Sequence, residues 1–168
     1  MILVSVGSES QPFDRLMRWL DLLVEKGLIQ EPLEVQCGSC QEHPREARLH
    51  RHLAPADFRR LARRARVVIA HCDEAAIQAL ETLQVPFLLV PRSARFGEHV
   101  DDHQLELASA LEARDVPIAW CPADLVRFLA APRSVNLGDQ SGASSAALAA
   151  SLLRRFPRTL PSTDPSDE

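Results

Sequence analysis

The stretch VVIAHCDEAAIQALETLQVPFLLV, residues 67–90, decides the fold. It opens on Val67, Val68, Ile69 and Ala70, an apolar and mostly β-branched run without polar alternation. Such a run reads as a strand buried on both faces. Asp73 stands where a helix N-cap belongs, and residues 73–83 carry helical spacing. Residues 86–90 form a second apolar run, stopped by Pro91. Strand, helix and strand in this order make one βαβ unit, whose strands run parallel.

The same alternation extends outward. Residues 2–6 form an apolar run ending at Gly7. Residues 12–26 place Phe13, Leu16, Met17, Leu20, Leu23 and Val24 at helical spacing before Gly27. Residues 33–37 read as a strand closed by Gly38, 49–53 as a weaker third strand, and 55–64 as a helix with arginines outward. Beyond the opening stretch, 92–100 is a polar loop. Asp101 or Asp102 then caps a helix running to about residue 114. Residues 116–120 read as a last strand and 122–130 as a last regular helix. The expected fold is α/β: a doubly wound, mostly parallel sheet covered on both faces. The expected domain spans 1–131. Residues 132–143, rich in Ser, Gly and Asn, read as a linker, 144–156 as an additional helix and 157–168 as a disordered tail.

Bulk composition narrows the class. A chain of 168 residues, 46% apolar and 25% charged, suits one domain with one buried core. A net charge of −4 gives no electrostatic case for nucleic acid. No apolar run approaches the ~18 residues of a membrane span. The first residues turn apolar at once without a basic leader, so no secretory signal is expected. Four scattered cysteines fit reduced thiols in a cytoplasm better than a disulfide scaffold.

Doubly wound sheets bind ligands beyond the carboxyl ends of their strands. That rule nominates Gly7 and Ser8, then Cys37 to Ser39, then His71 to Glu74, then residues 91–104. Helix N-termini at these loops offer free N–H groups suited to a diphosphate. The most polar of them, residues 96–104, holds Glu98, His99, Asp101, Asp102, His103 and Gln104.

Several segments, in order, resemble the glycosyltransferase family 28 C-terminal domain. They are residues 4–8 (VSVGS), 12–16 (PFDRL), 35–39 (VQCGS), 68–71 (VIAH), 90–92 (VPR) and, most specifically, 97–108 (GEHVDDHQLELA). The chain is most similar to the stand-alone small subunits of that family, and the likeness covers roughly residues 1–130. One such subunit, with a membrane-bound partner, makes the second sugar step of the eukaryotic lipid-linked N-glycan precursor. Bacterial relatives serve exopolysaccharide synthesis. The resemblance implies the Rossmann-like C-terminal half of a GT-B glycosyltransferase. It also implies a UDP-sugar donor, no metal or cofactor, and a partner chain that binds the acceptor at the inner face of a membrane. A homodimer of the isolated chain stays open. By position, Gly7 and Ser8 would lie beside the diphosphate, and His103 and Gln104 near the sugar or ribose. His71, Glu74, Gln78, Pro91, Arg92, Glu98, His99 and Asp102 complete the expected donor site.

One segment departs from the family pattern. Where the family has a glycine-rich turn, a hydroxyl residue and a ribose-gripping Glu, this chain has Asp73, Ala75, Ala76 and Ala79. An Asp facing a diphosphate adds like-charge repulsion. Gln78 is a substitute for the missing Glu. Three readings stand: a UDP-sugar-binding subunit of a two-component glycosyltransferase with an altered donor pose, a non-catalytic scaffold with a degenerate donor site, or a domain that binds a different ligand.

Two further features have ordinary readings. Cys37 and Cys40 form a CxxC, but no helix pattern follows it for a redox site. A zinc site would need two more ligands from His43, His50, His52, His71 or Cys72. Arg59, Arg60, Arg63, Arg64 and Arg66 make either a solvated helix face or a surface for an anionic membrane or partner.

Overall fold

The computed structural model describes residues 1–7 and 10–135. Five strands form one sheet: β1 (Ile2–Ser5), β2 (Leu33–Gln36), β3 (Ala47–His50), β4 (Val67–His71) and β5 (Phe87–Val90). Their order is β3-β2-β1-β4-β5, and every pair is parallel. The helices are α1 (Asp14–Glu25), α2 (Pro55–Ala62), α3 (Glu74–Glu81), α4 (His103–Glu112) and α5 (Pro122–Ala130). A 3₁₀ turn covers Ala94–Phe96. The expected doubly wound α/β class is what the chain adopts.

Side-chain alternation along the strands builds two cores. Ile2, Val4, Val35, Val67, Ile69, Leu88 and Val90 face α1 and α5. Leu3, Val68, Ala70, Phe87 and Leu89 face α2, α3 and α4. This is why the central strands read as unbroken apolar runs: neither face meets water.

Three elements differ from the sequence expectation. The third strand occupies Ala47–His50, not 49–53. It is an edge strand, so its apolar content is low, and its polar side chains Arg48 and His50 meet Glu34 on β2. Residues 116–120 make no full strand. Ile118 forms a single parallel bridge to Leu89, with Leu89 N–H donating to Pro117 O and Ala119 N–H to Leu89 O. Asp102 does not cap α4 with its side chain. Its carboxylate instead turns back to the Ser93 hydroxyl and the Ala94 N–H, while Asp101 accepts from the His103 N–H. The expected helix at 144–156 and tail at 157–168 lie outside the described residues, as do most of the 132–143 linker and Ser8.

The two half-sheets fix where a ligand can reach. Strand order runs outward from β1 through β2 to β3, then resumes on the other side with β4 and β5. The switch point therefore lies at the carboxyl ends of β1 and β4, where Gly7 and His71 stand. Among the described residues, no helix is long and apolar enough to cross a membrane.

Candidate functional site

Gly7 leaves β1 with φ +77°, a left-handed conformation that favours glycine. A Cβ there would lie 2.8 Å from two atoms of the His71 ring. His71 is buried, with Nδ1 3.4 Å from Ser5 O. The β1 turn is thus packed directly on the imidazole at the end of β4. Gly7→Ala is expected to cost about 2 kcal/mol or more, from the positive φ and the ring contact together. Urea unfolding measures it, and a loss below ~0.5 kcal/mol would show the turn to be slack.

Asp73 connects this floor to α3. Its carboxylate bonds His71 Nε2 through one oxygen and accepts from the Ala76 N–H at 2.7 Å through the other. Burial alone would raise the Asp73 carboxyl. The His71 contact and the backbone N–H groups of Ala75 and Ala76 outweigh it and hold the group below the ordinary carboxylate value. A charged carboxylate therefore already occupies the N-terminus of α3, where helix dipole and free N–H groups favour an anion.

The first turns of α3 and α4 meet beside it. Glu74 Oε1 lies 4.0 Å from Nε2 of the half-buried His103. Gln78 is exposed one turn along α3 from Glu74, on the same side of the helix. His99 pairs with Asp101 at 2.9 Å. Ala75 is exposed, and Ala76 and Ala79 are half-buried. The polar groups on this rim are Asp73, Glu74, Gln78, His99, Asp101 and His103. Carboxylates and imidazoles thus outnumber fixed cations there.

The remaining expected site residues form a buried web that shapes the rim. Arg92 is 1% exposed, and its guanidinium donates to Gln11 O, Glu98 O and Val6 O. It also stacks 4.9 Å over Phe13. Gln104 is buried at the start of α4 and accepts from the Arg92 N–H. Glu98 accepts from the Ser93 N–H and takes a two-point fork from Arg15, whose Nη2 also donates to Pro91 O. Arg15 sits among Phe13, Trp19 and Phe96, 4.7–5.3 Å from the ring centres. Arg92, Glu98, Asp102 and Gln104 therefore spend these polar groups within the β5–α4 loop and in tying it to Val6, Gln11 and Arg15.

Arg15 is the residue sequence reasoning missed. It lies 83 residues from Glu98, so spacing could not pair them. The signal available was its place in the PFDRL segment.

The cysteines have packing roles. Cys40 Sγ accepts from the Phe13 N–H, and Cys37 Sγ donates to His50 O. Burial pushes the Cys40 and Cys72 thiols up, away from thiolate chemistry. Among the described residues, no group of three His, Cys, Asp or Glu side chains is placed to hold a metal ion.

A family model described as "Glycosyltransferase family 28 C-terminal domain" matches residues 1–137. No curated protein matches the chain. Solved structures similar to it include MurG of Acinetobacter baumannii, at 19% identity and TM-score 0.49, over 77% of this chain and 40% of that one. The glycosyltransferase SnogD from Streptomyces nogalater matches at 17% identity and TM-score 0.43, over 77% of this chain and 42% of its own. The spinosyn forosaminyltransferase SpnP matches at 22% identity and TM-score 0.44, over 91% of this chain and 38% of its own. The chain spans about two fifths of the length of each.

Proposed function

This chain belongs to the glycosyltransferase family 28 C-terminal domain family, and from that premise we propose that it is the UDP-sugar-binding subunit of a two-component glycosyltransferase. It is a glycosyltransferase-type sugar-binding domain. The observation that carries the finer reading is the β1/β4 switch point, where Gly7 packs on His71 and, beside it, Glu74 of α3 faces His103 of α4. In this reading a UDP-sugar lies across the carboxyl ends of β1 and β4. His103 and Glu74 contact the sugar or ribose. The buried web of Arg92, Glu98 and Gln104 keeps the α4 N-terminus in place. No metal or cofactor is needed, because N–H groups and side chains can stabilise the leaving diphosphate.

One domain of a two-domain cleft encloses only one substrate. In this reading a second chain brings the acceptor, a lipid-linked sugar, and holds the pair at the inner face of the membrane. The catalytic base belongs to that partner or to the interface.

Asp73 supports a second reading. Its carboxylate fills the α3 N-terminus that a diphosphate would use. A chain so closed can serve as a non-catalytic scaffold of the same fold.

Isothermal titration of UDP and UDP-sugars into the chain separates the two. The transferase reading expects binding in the micromolar to millimolar range, weakened about tenfold or more in His103→Ala. His103 is half-buried on a helix start, so this variant leaves the core intact. No heat with any UDP compound, alone or with the partner chain, would favour the scaffold.

A further inference from the structure

Some cations of this chain are tied to a carboxylate. Arg15, Arg45, Arg48, Arg66, Arg127 and Arg133 each have one within 4 Å. A cluster without such partners stands at the C-terminal end of α2 and in the turn that follows it. Arg59, Arg63 and Arg64 are exposed and have no carboxylate partner among the described residues. Arg60 beside them has only the exposed Asp57 of its own helix. Arg59 and Arg60 stand on the last turn of α2, Arg63 is its C-cap and Arg64 follows in the turn, so four cations fall within six residues of the chain.

Among the described residues, Asp57 is the carboxylate that comes within 4 Å of the cluster. α2 buries Leu61 and Ala62 against the sheet and lies along its face. In the next helix of the same layer, the carboxylate of Glu74 faces His103 at 4.0 Å, and the exposed Ala75 and Gln78 carry no charge. The whole chain has a net charge of −4, so this face opposes the sign of the rest. The helix dipole accounts for one or two cations near its C-terminus, not for four.

We propose that the α2 face is a membrane-docking surface that binds anionic lipid headgroups directly, without help from a partner chain. The choice of a bilayer over another polyanion rests on the proposed lipid-linked acceptor and on one structural feature. Phe58, the aromatic residue of α2, is packed against the core and offers no stacking platform for bases. A flat face of arginines suits a plane of headgroups, where each basic residue contributes about 1 kcal/mol. Because α2 covers a face of the sheet, docking there leaves the carboxyl ends of the strands free at the edge.

The test is co-sedimentation of the full chain with phosphatidylglycerol/phosphatidylcholine vesicles and with pure phosphatidylcholine vesicles. The expected result is partition onto the anionic vesicles only, falling with added salt. It should drop about a hundredfold in the triple variant Arg59→Glu, Arg63→Glu, Arg64→Glu. The three side chains are exposed, so the variant should melt like the native chain. Absence of binding by the native chain, equal binding to both vesicles, or undiminished binding by the triple variant each overturns the proposal. So does a gel shift with duplex DNA of the same strength and salt dependence. UDP titration is read separately, so failure here leaves the donor-site reading intact, and the reverse.

Discussion

Asp73→Asn is expected to bind UDP at least tenfold more tightly than the native chain, while uridine binding stays unchanged. The native carboxylate accepts the Ala76 N–H at 2.7 Å and stands on the buried His71. A second anion brought to the same helix end meets a full negative charge a few ångströms away. Near a protein surface such a pair costs about 4 kcal/mol at 4 Å, and water and salt lower that figure. A tenfold change requires only 1.4 kcal/mol. Asparagine retains an N-cap oxygen, so the helix start survives without the charge. Titration calorimetry of both proteins with UDP, uridine and inorganic pyrophosphate makes the comparison. Equal pyrophosphate and UDP affinities in the two proteins would show that Asp73 does not close the site.

The pH dependence of this closure follows from its sign. The folded carboxyl titrates below its ordinary value of 3.8. Its capping contribution is then present at all pH above the unfolded value and disappears as pH falls through the lower, folded one. Across the neutral range the α3 N-terminus is always filled by charge. Neutral-pH binding differences between the two proteins therefore report the charge itself.

Glu98→Ala is expected to produce the largest loss of stability, about 3–5 kcal/mol. The Glu98 side chain is 4% exposed and that of Arg15 16%. Removing the carboxylate strands a guanidinium enclosed by Phe13, Trp19 and Phe96, and leaves the Ser93 N–H without its acceptor. For a chain of this size the melting midpoint should fall by about 10 °C. Replacing both partners with Met should cost less than the single change, because no buried charge is left behind. Asp115→Ala, which breaks the exposed pair with Arg133, should cost under ~1 kcal/mol. Thermal unfolding followed by circular dichroism ranks the three. If Glu98→Ala and Asp115→Ala matched, the Arg15–Glu98 tie would not be what holds the β5–α4 loop.

The sequence by itself determined the layers of this protein. Apolar runs at Val67 to Ala70 and Phe87 to Val90 could only be strands buried on both faces, and the helical spacing between them forced a parallel pair. The N-cap at Asp73 was legible for the same reason: a short polar side chain before an apolar helix satisfies local N–H groups, and local chemistry is written in neighbouring residues. Local signals failed where partners come from far away. The edge strand Ala47–His50 is polar because it has one neighbour, and residues 116–120 reach only a single bridge to Leu89.

At the site, the sequence supplied the residue types and the tertiary structure decided their work. The family resemblance of their segments implies donor contacts for Arg92, Glu98, Asp102 and Gln104. Folding buries three of them and turns all four onto the loop's backbone, the backbone of Val6 and Gln11, and neighbouring side chains, since polar groups removed from water must find partners. Arg15 meets Glu98 across 83 residues, a contact that exists only once α1 packs on the sheet. Only the fold, likewise, turned Asp73 from a departure in a turn into a carboxylate seated on His71 at the switch point, because strand order alone puts β1 beside β4.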